Sequence, residues 1–258
     1  MLGQLRLTNM RVRISIILVV TSAMLTNCSG CSESGRKARE IRNNSGVETE
    51  RTNERFNEKD NATENQSQQI EVANSTLSKL FDKNRKFVVL IYTQDNETTY
   101  QGSGFIVSSN GVCVSNYHVF EGTSLGLEQI KLYDGSIYKI SEVLEKSKKN
   151  DYIIFKLKNY KNTSSLKVAL ASPAIGSSVF AIGNPEGLEH TLSSGIISQY
   201  RAGNSLIQTT TEITHGSSGG PLFNSKGEVI GITTAGLKEA NLNFCINIQL
   251  LNLKRYTR

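Results

Sequence analysis

Gly216–Leu222 reads GSSGGPL and sets Ser218 among three glycines, with Gly219 and Gly220 between it and Pro221. A serine hydroxyl is a weak nucleophile and needs a neighbouring base to take its proton. The chain has three histidines, His118, His190 and His215, and all of them precede Ser218. The G-x-S-x-G spacing also marks nucleophile elbows on α/β sheets, where the chain order is serine, acid, histidine. No histidine occurs between Ser218 and Arg258, so that order is excluded. The order histidine, aspartate, serine remains. His118 lies in SNYHVFEG, Asp151 opens DYIIFKL further along the chain, and Ser218 follows both. Brought together, the three would perform acyl transfer. Ser218 attacks a carbonyl carbon, His118 accepts its proton and later protonates the leaving group, and Asp151 orients the imidazole and stabilises its charged form. The backbone N–H groups of Gly216 and Ser218 are the expected oxyanion hole, with glycine at 216 allowing a peptide orientation that a side chain would hinder.

Other residues compete for the same roles. Asp134 is a rival acid, but Asp134-Gly135 reads as a hairpin tip, away from a buried imidazole. His190 reads as an ordinary polar residue, and His215 as a loop residue beside the nucleophile. No two of the histidines have metal-ligand spacing, so neither a metal nor a cofactor is expected.

The elements that must position these groups are strands. KFVVLIY, GSGFIVSS, GVCVSN, QIKLYDGSIYKISEVLE and DYIIFKLK make up the first half. SVFAIG, LSSGIISQY, SLIQTT, PLFN, EVIGITTAG and NLNFCINI make up the second. They are short, rich in Val, Ile, Phe and Tyr, and punctuated by Gly, Asn and Asp. No long segment with helical periodicity interrupts them, so the fold class is all-β, built as two barrels. A short helix is expected around Val72–Lys83, with Leu77, Leu80 and Phe81 on one face.

Five of these stretches, in order, resemble the protease domain of the HtrA/Deg serine peptidases, which is trypsin-like. GSGFIVSSNGVCVSNYHVFEG is similar to the strand–turn–strand before that family's catalytic histidine. IKLYDGSIYKISEVLEKSKKNDYIIFKLK resembles its hairpin and catalytic aspartate. AIGNPEGLEHTLSSGIISQ, IQTTTEITHGSSGGPLFNSKGEVIGITTAG and NFCINI are similar to its Gly-Asn-Pro loop, nucleophile region and last pocket strand. The resemblance implies two six-stranded antiparallel β-barrels, at about 84–160 and 161–250, within a protease domain over 76–258. It also implies endopeptidase action on unfolded or exposed polypeptides without a cofactor. It places Ile213 near a pocket for an aliphatic or small side chain, in preference to an acidic pocket at Glu212. Thr234, Ala235 and Gly236 become the edge that pairs with substrate backbone. Family members often form trimers, which leaves a homo-oligomer as an expectation. Nothing resembling a PDZ module follows the last strand, so PDZ-directed substrate choice is not expected. The alternative is a catalytically idle polypeptide-binding, chaperone-like module on the same scaffold.

The charge pattern bears on partners. The formal net charge is +6, but positions 1–40 hold six Lys/Arg against two acids, and the rest of the chain is close to balanced. No basic stripe with interleaved aromatics occurs, so nucleic acid is not an expected partner. Arg6, Arg11 and Arg13 precede the apolar run Ile14–Leu25. At ~1.5 Å per residue this run is too short to cross a ~30 Å bilayer core and suits the apolar region of an export signal. Leu25–Cys28, LTNC, resembles a bacterial lipobox, in which Cys28 would be lipidated. Residues 1–28 are therefore expected to direct export to the periplasm, with membrane attachment through Cys28; secretion is the alternative. Residues 29–75, dominated by polar side chains, read as a disordered tether. Cys113 and Cys245 lie in apolar strands and read as buried free thiols.

Overall fold

The computed structural model describes residue 73 and residues 76–257, except 96–97, 125, 185–188 and 238–241. The expected export signal, Cys28 and nearly all of the expected tether lie outside the described residues. A helix over 76–84 opens the described part. Its Leu77, Leu80 and Phe81 face the main apolar core, as their spacing predicts. Among the described residues, no helix is long and apolar enough to cross a membrane.

Seven strands follow: β1 (Val88–Gln94), β2 (Thr99–Ile106), β3 (Val112–Ser115), β4 (Gln129–Lys131), β5 (Ile137–Tyr138), β6 (Ile140–Ser147) and β7 (Tyr152–Leu157). All pairings are antiparallel, in the order β5-β4-β1-β2-β3-β7-β6. The two edges of this half-barrel, β5 and β6, are separated in sequence by Lys139 alone. They act as one bent strand, whose first part pairs with β4 and whose second pairs with β7. Counted in this way, the first barrel has the six strands expected, and its seam is crossed by the chain itself. Glu128, almost fully buried, stabilises the bend: its carboxylate accepts the Ile140 N–H at 3.1 Å, while Lys139 Nζ donates to the Glu128 carbonyl at 2.6 Å. Without these contacts the corner would bury unpaired polar groups.

The second half comprises β8 (Ser178–Gly183), β9 (Thr191–Arg201), β10 (Leu206–Thr209), β11 (Pro221–Asn224), β12 (Val229–Leu237) and β13 (Leu242–Asn247). These close into a six-stranded antiparallel barrel, in the order β10-β13-β12-β11-β8-β9. Its interior holds Val179, Ala181, Ile197, Ile207, Ile213, Leu222, Ile230 and Cys245. A larger cluster fills the first barrel and continues onto Phe180, Ile182, Phe223, Val229, Ile232 and Ile246 of the second. The barrels therefore meet across an apolar surface. Phe105 and Phe155 are fully buried within that larger cluster, and truncating either to alanine would cost ~3–5 kcal/mol.

Candidate active site

His118 sits in the turn that leaves β3. Thr93 of β1 holds that turn by donating its hydroxyl to the Val119 carbonyl at 2.7 Å. Asp151 ends the tight connection between β6 and β7, with φ at 51°. This left-handed conformation is one that Asp tolerates better than most residues. Asn116 pins the Asp151 carbonyl with its side-chain amide at 2.9 Å. The two residues then meet. The His118 backbone N–H donates to Asp151 Oδ1 at 2.9 Å, and Nδ1 lies 2.8 Å from Oδ2 and 3.0 Å from Oδ1. Because a carboxylate accepts, the neutral imidazole carries its proton on Nδ1, the tautomer that keeps the lone pair on Nε2. The His118 side chain is 45% exposed and that of Asp151 28%, so the free face of the imidazole is open. Burial pushes the Asp151 carboxyl upward, but hydrogen bonds from the His118 ring and backbone, and one from Thr234, outweigh it and hold Asp151 below the usual carboxylate range.

Ser218 comes from the second barrel, in the loop before β11. Turn hydrogen bonds brace this loop, from Ser217 N to the Thr214 carbonyl and from Gly220 N to the Ser217 carbonyl, both at 3.0 Å. Gly219 has φ at 87°, and a Cβ there would fall 2.2 Å from the Ser103 carbonyl and 2.3 Å from Ser115 Oγ. Any side chain at 219 would push the nucleophile loop off the first barrel. Gly216 also has a left-handed φ, of 89°. Among the described residues no hydrogen bond takes up the N–H of Gly216 or of Ser218, the two expected oxyanion donors.

Thr234 links the two halves. The pairing of β12 with β13 shifts register between Thr233 and Gly236, a bulge that takes Thr234 and Ala235 off the ladder. The Thr234 hydroxyl donates to Asp151 Oδ2 at 2.9 Å, and its carbonyl accepts from Ser218 Oγ at 3.0 Å. The structure therefore pairs His118 with Asp151 directly and joins Ser218 to them through Thr234. Sequence reasoning places Thr234 on the substrate edge for its backbone; the contact of its side chain with the acid depends on the bulge. Sequence reasoning misses Ser103, whose N–H donates to the Ser218 carbonyl at 2.8 Å. Its one signal is its position between two glycines in the strand preceding β3.

The other expected residues are placed as follows. Ile213 is 7% exposed and packs inside the second barrel. The backbone of Thr234, Ala235 and Gly236 runs in β12. Asp134 is exposed at its hairpin tip, where its carboxylate accepts the Ser136 N–H at 2.9 Å. His190 lies apart from the site, with its N–H on Asn184 Oδ1 at 3.0 Å and Nε2 3.3 Å from the Val88 carbonyl. His215 and Glu212 are placed on the nucleophile loop, both exposed.

Two barrels with an aspartate-paired histidine on one and a serine on the other invite comparison with known proteins. The family model of the trypsin-like peptidase domain matches residues 102–232, just over half of the chain. This chain belongs to the trypsin-like peptidase family. A probable periplasmic serine endoprotease, DegP-like, of Buchnera aphidicola subsp. Schizaphis graminum is 41% identical over 143 residues, covering 52% of this chain and 29% of that protein. The periplasmic serine endoprotease DegP of Salmonella typhimurium is 37% identical over 143 residues, covering 52% of this chain and 30% of its own. The chain thus spans about three tenths of the length of these curated relatives. The crystal structure of a serine endoprotease from Yersinia pestis superposes with a TM-score of 0.61 at 28% identity, covering 67% of this chain and 62% of the other. The matches to DegP lie in the trypsin-like domain, and HtrA/Deg homology is established there.

Proposed function

We propose that this trypsin-like protein is an exported serine endopeptidase that cleaves exposed polypeptide through an acyl-enzyme. The observation that carries this reading is the Asp151–His118 pair, with Thr234 in contact with both Asp151 and Ser218. In the reaction, Ser218 Oγ turns about its Cα–Cβ bond from the Thr234 carbonyl towards His118 Nε2. As Oγ bonds to the substrate carbonyl carbon, its proton passes to Nε2, and the carbonyl π electrons move onto oxygen. The N–H groups of Gly216 and Ser218 stabilise that oxyanion, each such donor contributing ~10²–10³ in rate. Asp151, kept ionised by its hydrogen bonds, stabilises the imidazolium. His118 then gives its proton to the departing amine as the C–N bond breaks. Water, activated by the same imidazole, hydrolyses the ester and restores Ser218.

The names of the homologous endoproteases support polypeptide substrates, and the same names together with the N-terminal charge and apolar pattern support a periplasmic location. Lipidation of Cys28 would tether the enzyme to a membrane. The edge of β12 at Thr234–Gly236 would receive substrate as an added strand, with Ile213 beneath the primary pocket.

One observation favours the idle binding module: the present partner of Ser218 Oγ is the Thr234 carbonyl, not His118. A fluorophosphonate probe separates the readings, because it labels only an activated hydroxyl. The peptidase reading expects labelling at Ser218, casein cleavage by the wild-type chain, and a loss of about 10⁶-fold in turnover for Ser218→Ala. An unlabelled chain that binds casein without cutting it would establish the idle module instead.

A further inference from the structure

We infer that Ser103 is a positioning residue for the oxyanion hole, acting from the first barrel on both residues that supply its donors. This rests on the peptidase reading above. Ser103 lies on β2 and is fully buried. Its backbone N–H donates to the Ser218 carbonyl at 2.8 Å. Its hydroxyl donates to the Gly216 carbonyl at 2.7 Å. A single residue therefore ties down the peptide groups that follow Gly216 and Ser218, whose own N–H groups must converge on the oxyanion.

The direction of the Ser103 hydroxyl is not free. A serine Oγ has one proton to give and two lone pairs. Both lone pairs are engaged by Asn184, which donates from its backbone N–H and from Nδ2, each at 3.1 Å. The proton is left for the Gly216 carbonyl. Asn184 is itself fully buried and held on several sides. Its Nδ2 also donates to the Val89 carbonyl at 3.1 Å, its Oδ1 accepts the His190 N–H at 3.0 Å, and its carbonyl accepts Gln101 Nε2 at 2.8 Å. Strands β1 and β2, the residue that follows β8, and the nucleophile loop thus converge on one saturated polar node.

The consequence is mechanical. With φ at 89°, Gly216 belongs to a backbone region open to glycine in several orientations, so its flanking peptides can turn at little cost. The carbonyl of Gly216 is held through Ser103, and that contact limits rotation of the loop that carries the oxyanion donors. Removing the hydroxyl would leave the Gly216 carbonyl and the Asn184 N–H without their partner in a buried place, and relaxation of the loop is the cheapest remedy.

The test compares wild type, Ser103→Ala and Ser103→Cys, the last near-isosteric but a weak donor. Three quantities are read: kcat and KM on a cleavable peptide, the inhibition constant of a peptide aldehyde whose hemiacetal oxygen occupies the hole, and the affinity for uncleaved peptide in a Ser218→Ala background. For both variants, kcat should fall about 10–100-fold, less than loss of a whole donor. Aldehyde affinity should fall by the same factor, while peptide affinity stays within about twofold. Wild-type kcat and aldehyde affinity in both variants would overturn the inference. So would a parallel loss of peptide affinity, or the absence of a cooperative thermal transition in both, since either marks a purely structural role. Wild type against Ser218→Ala in the same assay tests the peptidase reading separately.

Discussion

The two barrels contribute to the site in different ways. In the first, His118 and Asp151 stand on elements of one sheet, at the end of β3 and the start of β7, which pair along Val112–Ser115 and Ile153–Lys156. Their mutual geometry follows from that local ladder, and the His118–Asp151 contact is already made. In the second barrel, Ser218 rides on a glycine-rich loop whose position depends on groups outside it. Ser103 and Ser115 crowd Gly219 from the first barrel, and the bulge of β12 supplies the Thr234 carbonyl. The acid–base pair is thus a product of strand pairing, whereas the nucleophile is a product of docking across the interface. Disturbing the first should spoil proton transfer with little change in substrate binding. Disturbing the contact between the halves should spoil alignment.

The largest break in this comparison, apart from loss of the nucleophile, is Asp151→Asn. It preserves shape but removes the charge and the tautomer control, so kcat should fall about 10⁴-fold with KM little changed. Steady-state kinetics on one peptide would check it, and a fall under tenfold would remove Asp151 from the mechanism. The same variant carries a stability signature. The carboxyl of Asp151 is held below its unfolded value of about 3.9. Its contribution is therefore complete above that value and is lost as pH falls through the lower, folded one. The difference in melting temperature between wild type and Asp151→Asn should be constant above about pH 5 and shrink below about pH 4.

Thr234→Val sharpens the same contrast at the joint. Valine keeps the carbonyl that receives Ser218 Oγ but cannot donate to Asp151. A kcat loss of about tenfold is expected, the scale of one hydrogen bond to a charged group, with an acid-side loss of stability that is smaller and complete at a higher pH than in wild type. A pH–stability profile superimposable on wild type would show that the Thr234 hydroxyl does not act on Asp151.

The smallest effect belongs to a hydrogen bond that touches none of the catalytic residues. The Glu145 carboxyl is lowered by hydrogen bonds from Tyr152 and then from Tyr256, at 2.6 and 2.8 Å. A group lowered in this way stabilises the fold above its unfolded value and ceases to do so as pH falls through its folded one. Tyr256→Phe should therefore lower the melting temperature by about 1–3 °C near neutrality, with the difference fading in acid and kcat unchanged. Differential scanning calorimetry at several pH values would read this directly.

Much of this organisation was legible in the sequence. All thirteen strands fall on, or within a few residues of, the alternating and apolar runs read from the sequence, because a half-buried strand repeats every two residues and a fully buried one, such as β3, reads as a short continuous apolar run. The hairpin at Asp134-Gly135 and the helix carrying Leu77, Leu80 and Phe81 were legible for the same local reasons. Joining β5 to β6 as one bent strand was not, since the bend depends on a buried carboxylate at Glu128 that no local pattern announces. The family resemblance placed Ile213 near a substrate pocket, and its packing in one cluster with Val179, Ile197 and Cys245 became visible only with the barrel closed.

Taken alone, the sequence determined the order of the reactive groups and the strands that bear them. Both follow from chain connectivity and side-chain periodicity, which are local properties. Only the tertiary structure decided which partners those groups meet. The bulge that aims Thr234 at Asp151 and the saturated hydroxyl of Ser103 against Gly216 join residues far apart in the chain. Contacts at such separations are set by how two barrels pack, and no short stretch of sequence encodes that.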